Sequence, residues 1–318
     1  MENLEKISLV RFDTQYLAHP ATVRTKGREV QKMLEALDIK VINPFERQED
    51  DPVEWWQTPH SPEDAERVVE RDLAWIKQSD AIFAYAPDPL ELCGTAMEIF
   101  YASKMLEKPV FIYTSPKYRF HPWLMHFGQV FTDLSFALEV LKLRKKLEGY
   151  AFRIALGGKM GTGKSSIRAF LVKCFQFKGY SFAEKLKEIA QDLFNMEVKN
   201  RSLLQMLGSR VREMEMDAWA NYVLKQINAE VPLRAIIDDM RYLNEADLLK
   251  DNGFTLIKLY SPAATRAKRG VAGFSAETAK HPSEVEIDAI DVDYSIDTSC
   301  DLDTSYRKIM EVLAEIAT

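Results

Sequence analysis

Short apolar runs separated by longer stretches of helical periodicity organise the chain. The runs fall at 7–12, 40–42, 81–86, 109–113, 130–132, 152–156, 235–237 and 255–260, each of strand length. Between most of them apolar positions recur every three or four residues. In 25–37, Val30, Met33, Leu34 and Leu37 form one stripe, and in 62–78, Ala65, Val68, Val69, Leu73 and Ile76 form another. Strands alternating with helices predict an α/β architecture with parallel sheets covered on both faces.

The stretch 134–146 reads as a helix that ends in Arg144, Lys145 and Lys146, cations suited to the negative end of the helix dipole. Gly149 is a stop signal, and Tyr150 opens the next apolar run. A boundary is therefore expected within 144–150, giving domains 1–148 and 149–318, each with its own strand–helix series. With 318 residues, 47% of them hydrophobic, the chain is long enough for two cores.

Composition narrows the partners. The formal net charge is −6, without the clustered basic footprint of a nucleic-acid binder. The three cysteines, Cys93, Cys174 and Cys300, are widely spaced and form no C-x-x-C pair. That pattern suits a reducing compartment and argues against a disulfide framework or a zinc site. The opening residues carry charges where a signal peptide needs an apolar core, and no apolar run reaches membrane-spanning length. The expectation is a cytoplasmic protein with small-molecule partners and no membrane contact.

The most specific pattern is FRIALGGKMGTGKSS at 152–166, in which Gly158-x4-Gly163-Lys164-Ser165 fits the Walker A motif at every position. An apolar run precedes it, and a helical pattern follows with Phe170, Leu171, Cys174 and Phe175 on one side. Glycines such as Gly158, Gly161 and Gly163 let the backbone curl until its N–H groups face phosphate oxygens. The following helical pattern, 167–177, just after Ser165 and Ser166, adds its positive end. Lys164 would reach the β- and γ-phosphates and Ser165 would ligate Mg²⁺, so ATP and Mg²⁺ are the expected cofactors. The run 235–237 continues into Asp238, Asp239, Met240 and Arg241. A carboxylate at such a strand end holds the water shell of Mg²⁺ or positions an acceptor, which assigns Asp238 to the metal beside Ser165. The planar fork of Arg241 suits an acceptor phosphate. Arg266, Lys268 and Arg269, after the run 255–260, could close over transferring phosphates.

SFAEKLKEIAQDLF at 181–194, RSLLQMLGSRVRE at 201–213, IIDDMRYLNEADLLKDNGF at 236–254 and HPSE at 281–284 follow in order. With the P-loop they resemble the phage-type deoxynucleoside monophosphate kinases over most of 150–318. The resemblance implies transfer of the ATP γ-phosphoryl group to a deoxynucleoside monophosphate. It implies Lys164, Asp239 and Arg241 as catalytic residues, and Glu184, Lys185, Arg212 and Arg241 around the acceptor. Glu184 stands where an Asp is common. A bacteriophage source, and thus a host cytoplasm, is implied as well. An ATPase-type switch that releases phosphate is the alternative reading of the loop.

In the first half, FDTQYLAHP at 12–20 follows the first apolar run, at the place where ligands sit in open α/β sheets. Gly94 and Thr95 open a helical stretch whose first N–H groups could bind an anion. Glu98 comes one turn later, where a carboxylate can act as nucleophile or general base. Thr95 and Glu98 equally have the spacing of a capping box. YLAHP, INPF at 42–45, Asp72 with Asp80, GTAMEIFYA and KPVFIY together resemble the nucleoside 2-deoxyribosyltransferase superfamily over roughly 5–135. That superfamily includes enzymes that hydrolyse the N-glycosidic bond of nucleoside monophosphates. The resemblance implies a flavodoxin-like fold and Glu98 attacking the anomeric carbon of deoxyribose. It implies Asp72 as a sugar- or base-binding acid, Tyr16 in a first loop near the ligand, and a homo-oligomer. Where the family often has an Asp two residues before the Gly-Thr pair, this chain has Leu92, with Asp88 or Glu91 as substitutes. His19 and Arg24 are candidates for phosphate contacts. The chemistry needs no metal. The combined expectation is a bifunctional deoxynucleotide enzyme, with a non-catalytic nucleotide sensor as the alternative for the first domain.

Overall fold

The computed structural model describes residues 12–46, 61–88, 92–198, 200–269 and 282–318. The chain forms two compact units that meet in sequence between Gly149 and Tyr150.

The first unit runs β1 (Thr14–Ala18), α1 (Arg24–Glu35), β2 (Lys40–Ile42), α2 (Pro62–Gln78), β3 (Ala81–Tyr85), α3 (Cys93–Phe100), β4 (Val110–Tyr113), α4 (Pro122–Phe127), β5 (Gln129–Phe131) and α5 (Leu134–Lys146). Every strand pair is parallel and the order is β2-β1-β3-β4-β5. This is the flavodoxin-like order, whose topological switch lies between β1 and β3, and it places a crevice beyond the carboxyl ends of those strands. Helix α2 starts where its sequence dictates. The Ser61 hydroxyl accepts from the Asp64 N–H at 3.1 Å, Pro62 takes the first position, and Glu63 and Asp64 face the positive end of the dipole.

Residues 7–11 of the first predicted run lie outside the described residues; Phe12 precedes the first described strand, Thr14–Ala18. Tyr16, expected in a loop, is therefore in mid-strand, and Gln15, Tyr16, Leu17 and Ala18 are all fully buried. Polar Thr14 and Gln15 do not interrupt the strand because Asp80 anchors its entry. The Asp80 carboxylate accepts the N–H groups of Asp13 and Thr14, each at 2.8 Å. Asp80 thus serves the backbone of β1.

The second unit runs β6 (Phe152–Gly157), α6 (Lys164–Phe175), β7 (Lys178–Tyr180), α7 (Phe182–Phe194), α8 (Arg201–Met214), α9 (Ala218–Glu230), β8 (Arg234–Met240), α10 (Leu243–Asp251), β9 (Thr255–Tyr260), α11 (Ala263–Lys268), α12 (Pro282–Ala289), β10 (Tyr294–Asp297) and α13 (Leu302–Ile316). All its strands are parallel in the order β10-β9-β6-β8-β7. Strand β6 is central, so the loop that follows it emerges between the ends of β8 and β9. Trp219, Val223, Leu224 and Ile227 of α9 pack with Ile237, Met240 and Leu256 of the sheet to form the core behind that loop. Among the described residues no helix is long and apolar enough to cross a membrane.

Candidate active sites

The crevice of the first unit holds a cavity of about 370 Å³ lined by His19, Thr22, Phe45, Arg71, Asp72, Gly94, Thr95 and Glu98, among others. Four segments distant in sequence meet there: the end of β1, the turn after β2, the middle of α2, and the start of α3. Glu98, in the second turn of α3, accepts a 2.5 Å hydrogen bond from the Tyr16 hydroxyl. The capping box with Thr95 is not formed, since Leu92 occupies the N-cap position and no side chain caps the helix. Burial pushes the Glu98 carboxyl up to about 8, and the Asp72 charge adds to that, against the opposing pull of the Tyr16 hydroxyl and the Arg71 charge. The Tyr16 hydroxyl is itself raised well above its usual value by burial and then by the Glu98 charge, so it stays a donor.

Asp72 is placed by an arginine that the sequence reading passed over. Arg71 bonds Asp72 Oδ1 at 2.8 Å and the Pro44 carbonyl at 3.2 Å, and its guanidinium lies 4.1 Å from the Trp75 ring centroid. His19 lines the cavity but is held by its surroundings. Nε2 lies 3.2 Å from Asn43 Oδ1, Nδ1 lies 3.1 Å from the Pro20 carbonyl, and the ring packs on Phe45. Burial lowers the imidazole pKa, which favours the neutral ring. The INPF segment thus acts through Asn43, whose amide also donates to Gln31 at 2.8 Å. The Arg24 guanidinium stacks 4.8 Å from the Phe45 ring centroid. Leu92 is 5% exposed and belongs to the apolar core under the site. Gly94 leaves space beside it: a Cβ there would meet nothing within 4 Å.

In the second unit the loop after β6 has positive φ at Gly158 (+144°), Gly161 (+83°) and Gly163 (+88°). A Cβ on Gly158 would fall 2.4 Å from the Leu259 carbonyl oxygen, so the loop's first turn requires glycine. Lys164 is buried and folds back on the loop, donating to the carbonyls of Gly158 at 2.5 Å and Lys159 at 2.9 Å. Burial, and then the Arg241 charge, lowers its ammonium to about 7. Arg266 donates to the Met160 carbonyl at 3.1 Å and Arg269 to the Gly161 carbonyl at 2.8 Å, so both arginines sit on the loop through its backbone. Ser165 is exposed in the first turn of α6, and Ser166 lines an adjacent cavity of about 230 Å³ with Gly163, Thr298 and Cys300.

At the end of β8 the two aspartates differ. Asp238 lies 3.7 Å from Arg168 Nε and contributes to the field at Lys164, and burial followed by the Asp239 charge raises its pKa. Asp239 has both oxygens engaged with α7, accepting from the Ser181 hydroxyl at 2.7 Å and from the N–H groups of Phe182 at 3.0 Å and Ala183 at 2.9 Å. It caps that helix from another element and so places Glu184 and Lys185. Glu184 is exposed in the first turn, and Lys185 pairs with Glu188 at 2.8 Å.

Two buried carboxylates hold the arginines, and neither stood out in the sequence. Glu245 accepts from Arg212 at 3.0 Å and from the backbone N–H of Arg241 at 2.8 Å, and burial raises its carboxyl to about 7. The Arg212 guanidinium also covers the Tyr242 ring at 4.3 Å. Glu284, on α12, accepts the Met160 N–H of the glycine loop at 2.9 Å and pairs with the Arg241 guanidinium. An oxyanion thus already sits on that loop, which is the fit a polyphosphate requires. His281, also of the HPSE segment, lies outside the described residues. Among the described residues no cluster of three or more His, Cys, Asp or Glu side chains could hold a metal ion by itself. Ser165 and Asp238 are the residues here that suit Mg²⁺, which is bound by one or two protein oxygens together with substrate phosphates.

Residues 16–153 match the family model for nucleoside 2-deoxyribosyltransferase. A protein of Acanthamoeba polyphaga mimivirus described as a deoxynucleotide monophosphate kinase is 28% identical over 174 residues, 43% of this chain and 82% of its own length. Among solved structures, the 2-deoxyribosyltransferase of Bacillus psychrosaccharolyticus is 27% identical with TM-score 0.28, covering 32% of this chain and 72% of that one. Shikimate kinase of Aquifex aeolicus is 14% identical with TM-score 0.33, covering 52% of this chain and 98% of that one.

Proposed function

We propose that the chain is a bifunctional enzyme of deoxynucleotide metabolism, with residues 1–148 acting on a glycosidic bond and 149–318 transferring a phosphoryl group. The observation that carries the second assignment is Glu284. A single carboxylate spans Met160 of the glycine loop and Arg241 at the end of β8, so the donor loop and the acceptor arginine converge within the width of one oxyanion. Phosphoryl transfer needs that convergence, because its catalysis is mostly positioning and charge neutralisation. In this reading the loop and Lys164 hold the β- and γ-phosphates of ATP, and Arg266 and Arg269 fix the loop's shape. Arg241 and Arg212 hold the 5′-phosphate of a deoxynucleoside monophosphate. Ser165 and Asp238 would hold Mg²⁺, which would supply charge neutralisation at the phosphates. An acceptor phosphate oxygen attacks the γ-phosphorus, the bond to the β-phosphate oxygen breaks, and ADP and a deoxynucleoside diphosphate leave. Asp239 is a positioning residue through α7.

In the first unit, Glu98 is the proposed nucleophile. Its carboxylate attacks the anomeric carbon, the C–N bond breaks, and the base leaves with the bonding pair and takes up a proton. Water then cleaves the glycosyl ester and restores the carboxylate. The Tyr16 hydroxyl orients Glu98, and Asp72, fixed by Arg71, meets the sugar or base. The match of 16–153 to the deoxyribosyltransferase family supports this chemistry. One observation favours a second reading, in which this unit binds a nucleotide without cleaving it: Leu92 sits in the core where the family often has a ligand-holding acid.

The test is a panel of deoxynucleoside and ribonucleoside monophosphates incubated with and without ATP and Mg²⁺, with products separated by chromatography. A diphosphate formed only with ATP supports the kinase, and free base formed without ATP supports the glycosidase. ATP consumption with phosphate release and no diphosphate points to an ATPase-type switch. Absence of free base from every nucleotide favours the sensor.

A further inference from the structure

Glu284 has no part in the transfer step just described, yet its side chain is 7% exposed and lies on the two groups that step needs. Oε2 accepts the Met160 N–H at 2.9 Å, and Oε1 accepts from the Arg241 guanidinium. Its charge also supports the ammonium form of Lys164. A carboxylate so placed competes with any phosphate oxygen that approaches the same N–H and the same guanidinium. Two anions cannot share that space without strong repulsion in a poorly hydrated site.

We propose that Glu284 is a positioning residue of the donor site. It holds Arg241 and the glycine loop in the nucleotide-free protein, and it gives up the loop N–H to the donor's terminal phosphate and Arg241 to the acceptor. The inference rests on the kinase reading of this unit. Its consequence is selective. A nucleoside triphosphate must displace Glu284, while a diphosphate, one phosphate shorter, leaves more of the contact in place. Glu284 therefore weakens binding of ATP more than binding of ADP, and its departure frees Arg241 for the acceptor only when a transferable phosphate is present.

The experiment is calorimetric titration of the full-length protein with ATP and with ADP, without acceptor, for wild type, Glu284→Gln and Glu284→Asp. The Gln variant keeps the shape and an acceptor oxygen for Met160 but removes the charge. It is expected to bind ATP about tenfold more tightly and ADP less than threefold more tightly. The Asp variant keeps the charge but is shorter by one methylene. It should give the same order with a smaller gap, and it decides the matter if the Gln variant does not fold. Equal changes for both nucleotides, no change, or weaker ATP binding in the folded variants would overturn the proposal. A wild-type protein that binds neither nucleotide sinks the kinase reading itself, a different outcome from an unchanged ATP-to-ADP ratio.

Discussion

The Tyr16 hydroxyl lies 2.5 Å from Glu98 Oε1, joining the middle of β1 to the second turn of α3 across the crevice of the first unit. The bond opposes the burial that pushes the Glu98 carboxyl up to about 8. A nucleophile must be ionised, so base release is expected to rise with pH and level off above about 8. Tyr16→Phe removes a hydrogen bond to the charged form, an interaction of about 1.5–3 kcal/mol. Its pH–rate profile should move upward by about one unit, with about a tenfold loss of rate at pH 7. An inflection that stays in place in the variant contradicts this role.

The same shift predicts how stability depends on pH. The Glu98 carboxyl ordinarily titrates near 4.5 and in the folded protein near 8, so the folded state binds more protons than the unfolded state between those values. Stability contributed by the protonated group is present below pH 4.5 and is lost as pH rises through 8. Glu98→Gln removes this dependence. The variant should match wild type near pH 4.5 and exceed it at pH 8–9 by about 1–3 kcal/mol, read from thermal or denaturant unfolding at both pH values. Equal stability at pH 9 would show that the carboxylate is well solvated.

Lys164 gives a third expectation. Its ammonium, lowered to about 7, is largely neutral in the free protein at pH 8. A polyphosphate beside it favours the charged form, so ATP binding at pH 8 should take up close to one proton, and affinity should fall as pH rises above 7. Titrations in buffers of different ionisation enthalpy measure that proton directly. Uptake of none at pH 8 would place the lysine in water or away from the phosphates.

Two glycines separate local strain from site occupancy. Gly158→Ala forces a side chain onto positive φ and onto the Leu259 carbonyl, and should lose about 1–3 kcal/mol of stability together with ATP binding. Gly94→Ala adds a methyl to open space inside a helix, so it should preserve the melting temperature or raise it by up to about 1 kcal/mol in stability. Base release should nevertheless fall at least tenfold, because that methyl enters the cavity. An unaffected rate would move the substrate away from the start of α3.

Much of this was legible in the chain. Helices α2 and α5 match the sequence reading end to end, because their apolar stripes are flanked by Ser61-Pro62 at one start and a basic last turn at the other end. The glycine loop was legible because a phosphate cradle after a strand demands those residues in that order. Strand β1 is hard to read from the sequence because polar Thr14 and Gln15 look like a turn, and the Asp80 carboxylate that anchors its entry is distant in sequence. Strands β7 and β10 escaped notice because each buries one apolar side chain, Tyr180 and Ile296, and owes its conformation to a neighbouring strand. The roles of Asp239 and Glu284 were hidden for a different reason. The helix that Asp239 caps begins 57 residues away, and Glu284 lands on a loop 124 residues before it. No local pattern encodes contacts at such separations.

The most direct test of the central claim is one product assay on three proteins: wild type, Glu98→Ala and Lys164→Ala, each given the preferred monophosphate with ATP and Mg²⁺. Two independent chemistries predict a double dissociation. Glu98→Ala should lose free base at least a thousandfold and keep diphosphate formation, while Lys164→Ala should lose diphosphate by a similar factor and keep base release. If either variant loses both products, or if neither loses its own, the assignment of one reaction to each unit is wrong.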